Sequence, residues 1–223
     1  MSSAAGAAAI TAAGLSKGFD GAQILDSVEL TAPGGTVAVV IGPPGSGRST
    51  LARCLTGVYR PDAGDVTFRL GGRGAVNLSA ADPRTVAWMR GQHIASFDGL
   101  LAAAPRLPAA LAVARAARRS RASAVGALTR LQVANLAPVA IGRLRPGERL
   151  TVALAAALLA ERPFVVLDDP ERYADPQTLT AWLRRVSDAG AAVVATAGPG
   201  SALVSIATTI GELQRGRLEW HRP

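Results

Sequence analysis

The sequence predicts an α/β fold: a mostly parallel sheet with helices on its faces, an antiparallel β piece at the N-terminus and a helical insert. Three observations carry this. Short apolar runs alternate with helical patterns along the chain, the order that joins parallel strands by crossover helices. Residues 36–41 (T-V-A-V-V-I) form a continuous apolar run, as in a strand buried on both faces, and lead straight into a glycine-rich loop, G-P-P-G-S-G-R-S-T. A second such run, residues 164–167, ends in Asp168, Asp169 and Pro170. At 223 residues and 49% hydrophobic content the chain can fill such a core.

Taken in order, residues 10–15 and 24–30 read as strands of the antiparallel piece. Pro33, Gly34 and Gly35 turn the chain into the strand at 36–41, and residues 49–56 open a helix. Residues 60–64 (R-P-D-A-G) make another turn, followed by a strand at 66–70. Residues 105 to about 137 are helical in pattern, and 148–160 is a strongly apolar helix. Together these define a helical subdomain at about residues 100–160 within one domain spanning 1–223. A buried strand at 164–167, a helix at 179–189 and a parallel strand at 191–195 follow. Residues 203–210 and 217–220 close the domain. Neither an internal repeat nor a long linker interrupts the order.

Composition narrows the setting. No apolar run reaches the roughly 18–20 residues that span a bilayer. The alanine-rich residues 1–13 lack a basic start and a leucine-type core, so a signal peptide is not expected. The lone Cys54 excludes an internal disulfide framework. The expected location is the cytoplasm, or the periphery of a membrane complex on its inner face. The formal charge is +8, and Lys17 is the only lysine. The arginines are scattered, with one denser patch at 115, 118, 119 and 121. Aromatics are only 4% of the chain, too few for a base-stacking platform, so nucleic acid is not an expected partner.

The loop is the chemical centre. Gly42, Pro43, Pro44, Gly45, Ser46, Gly47, Arg48, Ser49 and Thr50 stand in the phase of a phosphate-binding loop, between a buried strand and a helix. Its glycines let backbone N–H groups face phosphate oxygens, and the helix N-terminus adds positive potential. Ser49 is placed to offer a hydroxyl to Mg2+. Arg48 stands where such loops carry lysine; it is planar and forked where lysine is a compact point charge. Downstream, the acidic strand end places Asp168 to hold Mg2+ and Asp169 to orient an attacking water.

Phe19 after the first strand, the loop, the helical insert, Gly147-Glu148 opening a helix and the acidic strand together resemble an ATP-binding cassette (ABC) ATPase. The stretch G-V-Y-R-P-D-A-G-D-V at 57–66 fits that family too. The resemblance covers nearly the whole chain. It implies the P-loop NTPase fold of that family, with ATP and Mg2+ as cofactors and Phe19 near the adenine. It also implies a second cassette as partner, with a membrane permease or a similar complex. Val76-Asn77-Leu78, residues 84–94 and Ala104-Pro105-Arg106-Leu107 are, within the family, similar to the L subunit of the bacterial phosphonate C–P lyase system.

The departures concern catalysis. The family's glutamine that senses the γ-phosphate falls at Gly99. Its S-G-G-[QE] motif is Arg145-Pro146-Gly147-Glu148, without the serine hydroxyl and with one backbone donor fewer. The catalytic glutamate position is Asp169, one methylene shorter. The switch histidine position falls near Gly198, and neither His93 nor His221 is placed to replace it. Asp175 does match the family's D-loop aspartate. These losses fall on groups that act in the transition state, so the expectation is nucleotide binding with weak hydrolysis, or a non-hydrolysing partner of a competent cassette in a heterodimer.

Overall fold

Strands β1 (Ala9–Phe19) and β2 (Ala22–Pro33) pair as an antiparallel hairpin in the computed structural model, which describes residues 8–97 and 105–221. Both run further than the apolar alternation suggests. Register shifts between Ala12 and Gly18 carry the ladder past Ser16 and Lys17, where the alternation has stopped. With β4 (Ala63–Arg69) and β5 (Ala75–Asn77) they form an antiparallel sheet of order β2-β1-β4-β5.

The second sheet comprises β3 (Val37–Ile41), β6 (Ile94–Ala95), β7 (Phe164–Asp168), β8 (Ala192–Ala197), β9 (Thr209–Gln214) and β10 (Arg217–His221). Its order is β10-β9-β3-β8-β7-β6, parallel except for the β9–β10 pair. The expected closing segment at 203–210 resolves into a 3-10 turn, Ala202–Ile206, before β9.

The apolar run at β3 is explained by two cores. Ala38 and Val40 face one core, shared with Leu51, Cys54 and Leu55 of helix α1 (Arg48–Leu55) and with Ile10, Leu25 and Phe68 of the antiparallel sheet. There Phe68 meets Phe164 edge to face, with ring centroids 4.9 Å apart. Val37 and Val39 face the other core. That side is covered by α3 (Ala109–Ala117), α4 (Arg121–Arg130), α5 (Pro146–Leu159) and α6 (Pro176–Asp188). A strand buried on both faces needs no polar alternation.

Helix α2 (Pro83–Gln92) is absent from the sequence expectation. Only Met89 of it is buried, so it carries no apolar stripe. Its start is nevertheless encoded: the Asp82 carboxylate accepts from the N–H groups of Arg84 and Thr85 at 2.8 and 3.1 Å, and Pro83 occupies the first turn. The helical stretch at 105–137 divides in two. Arg118 ends α3 in the left-handed conformation, and Ser120 caps α4 by accepting from the Ser123 N–H.

Arg162 ties this insert to the sheet edge. Its Nη1 donates to the carbonyls of Arg90 and Ile94 at 2.6 Å each, and its Nη2 to Ala116 O at 3.3 Å. Among the described residues no helix is long and apolar enough to cross a membrane.

Candidate functional site

In a parallel sheet the carboxyl ends of the strands share one edge. Here Ile41 of β3 lies opposite Ala197 of β8, and Asp168 of β7 opposite Thr196 of β8. The glycine loop and the acidic pair therefore emerge on either side of β8. The Gly42 N–H donates to Ala197 O at 3.3 Å, and the Asp169 N–H to Thr196 O at 3.1 Å.

The loop wraps tightly because two glycines have no alternative. A Cβ on Gly42 would lie 2.5 Å from Leu213 O and 2.6 Å from Ser46 Oγ. Gly47 sits at φ 104° directly before α1, where a Cβ would come within 2.9 Å of Ile24 O. No side chain caps α1, which leaves its first-turn N–H groups to solvent or to a ligand. Pro43, Pro44, Gly45 and Ser49 are exposed, while Arg48 and Thr50 are half-buried. A cleft of about 300 Å³ is lined by Phe19, Ile24 and the stretch from Gly45 to Thr50.

Two polar atoms at this site are buried without a hydrogen-bond partner, Ser46 Oγ and Arg48 Nη1. Buried donors are paired in nearly all proteins, and an unpaired one costs about 1–3 kcal/mol, more when charged. Nor does Arg48 form an ion pair with Asp168 or Asp169. The loop thus carries two buried polar atoms that lack partners, as suits an oxyanion.

On the other side of β8, Thr196 is fully buried. Its hydroxyl donates to Asp168 Oδ1 at 2.7 Å and accepts from the Asp169 N–H at 3.1 Å. Thr196 thereby fixes one carboxylate and the backbone of the next residue. Asp169 follows in the left-handed conformation, φ 50°, which aspartate tolerates better than most residues. Mg2+ takes one or two protein oxygens beside phosphates and water. The Ser49 hydroxyl and the Asp168 carboxylate are hard oxygen donors of that kind and fit it. Among the described residues no group of three or more His, Cys, Asp or Glu side chains could cage a metal on its own.

Phe19 stands at the cleft with 39% of its surface exposed. Tyr59 meets its ring edge to face at 5.2 Å, and Lys17 Nζ lies 5.2 Å from its centroid. The Tyr59 hydroxyl in turn accepts from Arg53 Nη1 at 3.0 Å.

The other residues singled out in sequence lie apart from the loop or have structural work. Arg145 is exposed before α5, and its N–H donates to Glu148 Oε2 at 2.8 Å. Pro146 takes the first helical position, where an N–H has no partner within the helix, so the helix itself loses nothing. Asp175 caps α6 by accepting from the Thr178 N–H at 2.9 Å. His93 precedes β6 at the amino edge of the sheet, beside Trp88. Burial, with Arg73 and Arg162 nearby, holds its pKa below the usual histidine value. His221 pairs with Ile210 near the start of β9, away from Gly198. Gly99 and Ala104 lie outside the described residues. Thr196 went unread in the sequence; a threonine closing the otherwise apolar run A-V-V-A-T-A was its only signal.

The model of the ABC transporter family matches residues 25–172. The sulfate/thiosulfate import ATP-binding protein CysA of Synechococcus elongatus is 33% identical over 178 residues, which cover 78% of this chain and 50% of that protein. The aliphatic sulfonates import ATP-binding protein SsuB 1 of Nocardia farcinica is 32% identical over 170 residues, 76% of this chain and 62% of that protein. The chain thus spans about half the length of the CysA relatives it matches. Among solved structures, a dimeric bacterial ABC transporter cassette superposes with a TM-score of 0.80 at 20% identity, covering 96% of this chain and 98% of that one. A post-hydrolysis dimeric cassette bound to ADP and Pi gives 0.77 at 19%, with the same coverage. At such identities these structures show the shared fold.

Proposed function

Because the chain belongs to the ABC transporter family, we propose that it binds Mg-ATP in the loop from Gly42 to Thr50 and passes the binding energy to a partner complex. The observation that carries this is the pair of buried, unpartnered donors, Ser46 Oγ and Arg48 Nη1, at a loop that opens an uncapped helix. Phosphate oxygens supply the missing acceptors. Ser49 and Asp168 hold the metal, and Phe19 packs near the base, its ring already steadied by Tyr59.

The importer names of the relatives favour a transporter, with a permease and a second cassette as partners on the inner face of a membrane. The alternative host, a C–P lyase-like assembly, rests on sequence likeness at Val76-Asn77-Leu78, 84–94 and 104–107 alone. The transported substrate is a matter for the permease side.

A second reading, a non-hydrolysing cassette that serves a competent partner, is favoured by three positions. Asp169 is short, Gly198 offers no side chain, and Arg145 has no hydroxyl to present to a partner's nucleotide. Each removes a transition-state contact and leaves the loop's ground-state donors in place.

Calorimetric titration with Mg-ATP tests the binding. Saturable binding by the wild type, lost in Gly47→Val, is expected, because the Cβ of valine meets Ile24 O. Arg48→Ala serves as a second variant should Gly47→Val fail to fold. No heat from the wild type up to millimolar ATP refutes the proposal.

A further inference from the structure

Gly198 is the first residue after β8, at the same sheet edge as the loop. Its backbone is not left-handed, so its conformation does not call for glycine. A Cβ built on it would meet only one atom within 4 Å, Arg48 Nη1 at 3.9 Å, an ordinary contact distance. Neither the backbone nor the first carbon of a side chain therefore excludes other residues. What a longer side chain would meet is the Arg48 guanidinium. That same Nη1 is buried and has no partner in the protein.

We propose that Arg48 and Gly198 are a matched pair: the missing side chain at 198 admits the Arg48 guanidinium to the carboxyl edge of β8, where it is the donor that grips the terminal phosphate of the nucleotide. This rests on the nucleotide-binding reading and adds to it a specific residue and its enabling partner. Guanidinium is wider than ammonium and presents parallel N–H groups that can engage two phosphate oxygens at once. It needs room that a lysine does not. The arginine in the loop and the glycine after β8 are then one coupled change, and the two positions cannot be repaired separately.

The consequence is counter-intuitive. Arg48→Lys, which restores the usual loop residue, withdraws the fork from β8 and leaves its space empty. Gly198→Leu pushes a side chain into that space, which harms the protein only while arginine stands at 48.

A double-mutant cycle reads this directly. Mg-ATP affinity is measured by calorimetry for the wild type, Arg48→Lys, Gly198→Leu and the double variant. Melting of the same four proteins without nucleotide is followed in parallel. Gly198→Leu is expected to weaken binding about tenfold or more in the wild-type background and no more than about twofold in the Arg48→Lys background, a coupling of the size seen between residues in contact. It is also expected to lower the melting temperature more when arginine is present. Should Gly198→Leu fail to fold, Gly198→Val carries the same cycle with a smaller, equally apolar intrusion.

Equal effects in both backgrounds overturn the pairing while nucleotide binding by the wild type stands. Absence of binding by the wild type overturns the nucleotide reading and the phosphate-gripping role with it. In that event coupling in the melting cycle would leave only the packing of Arg48 against Gly198.

Discussion

Replacing Thr196 by valine keeps the shape of a fully buried side chain and removes one oxygen. That oxygen donates to Asp168 Oδ1 at 2.7 Å and accepts from the Asp169 N–H at 3.1 Å. The Asp169 N–H retains a bond to Thr196 O at 3.1 Å, so the main loss is the hydroxyl–carboxylate bond. A hydrogen bond to a charged group contributes about 1.5–3 kcal/mol. In a chain of this size each kcal/mol shifts Tm by about 2–4 °C, so a fall of about 3–12 °C is expected. The functional effect concerns the metal. Among the described residues Thr196 is the one side chain that hydrogen-bonds Asp168, the proposed Mg2+ ligand, so Thr196→Val is expected to let the carboxylate swing. ATP affinity in the presence of Mg2+ should fall several-fold, while affinity in EDTA should stay near wild type. Differential scanning calorimetry and ATP titration with and without Mg2+ measure the two arms. A Tm unchanged within about 1 °C, or an equal loss of affinity with and without Mg2+, would refute the role given to Thr196 and through it the metal role of Asp168.

Three further outcomes are expected. Turnover of Mg-ATP by the isolated chain should lie well below about 1 s⁻¹ and rise in Asp169→Glu, which extends the carboxylate by one methylene; ordinary turnover by the wild type contradicts the catalytic deficit. Burial pushes the Cys54 thiol up from 9.0 to about 11. The folded state therefore holds this proton more tightly than the unfolded chain. Its contribution to stability is full below about pH 9 and is lost as pH rises toward 11. Denaturant midpoints across that range should fall less steeply in Cys54→Ala, and rapid labelling of the native thiol at pH 8 contradicts its burial. Light scattering should find a monomer in isolation and association with a second cassette of intact S-G-G-[QE] motif when ATP is present; a stable ATP-dependent homodimer, unchanged by Arg145→Ala, contradicts the heterodimer.

The parallel sheet was legible because its strands are buried on both faces, and an apolar run between turn residues is hard to read otherwise. The loop stood out because its glycines fall at the spacing that phosphate-binding loops use. Helix α2 was not, since only Met89 of it is buried and its signal lies in the Asp82-Pro83 cap rather than in periodicity. The break between α3 and α4 was hidden by a run of alanines and arginines that favours helix on both sides of Arg118 and Ser120. At the proposed site, Gly42 to Thr50 and Asp168 were singled out from their own neighbours. Thr196 was not, and Gly198 was read only as the place of a missing histidine. Thr196 matters through its register with Asp168, 28 residues away. Gly198 enters the proposed pairing because a Cβ built on it would lie 3.9 Å from Arg48 Nη1 across the sheet edge. Such partnerships are set by strand order, which no local pattern records.

The most direct test of the account is a crystal structure of the chain grown with Mg2+ and a non-hydrolysable ATP analogue. The phosphates are expected inside the loop from Gly45 to Thr50, Arg48 Nη1 on a phosphate oxygen, the metal between Ser49 and Asp168, and the base beside Phe19. An empty loop at millimolar analogue, or a nucleotide bound elsewhere with Arg48 Nη1 still unpartnered, would contradict the account.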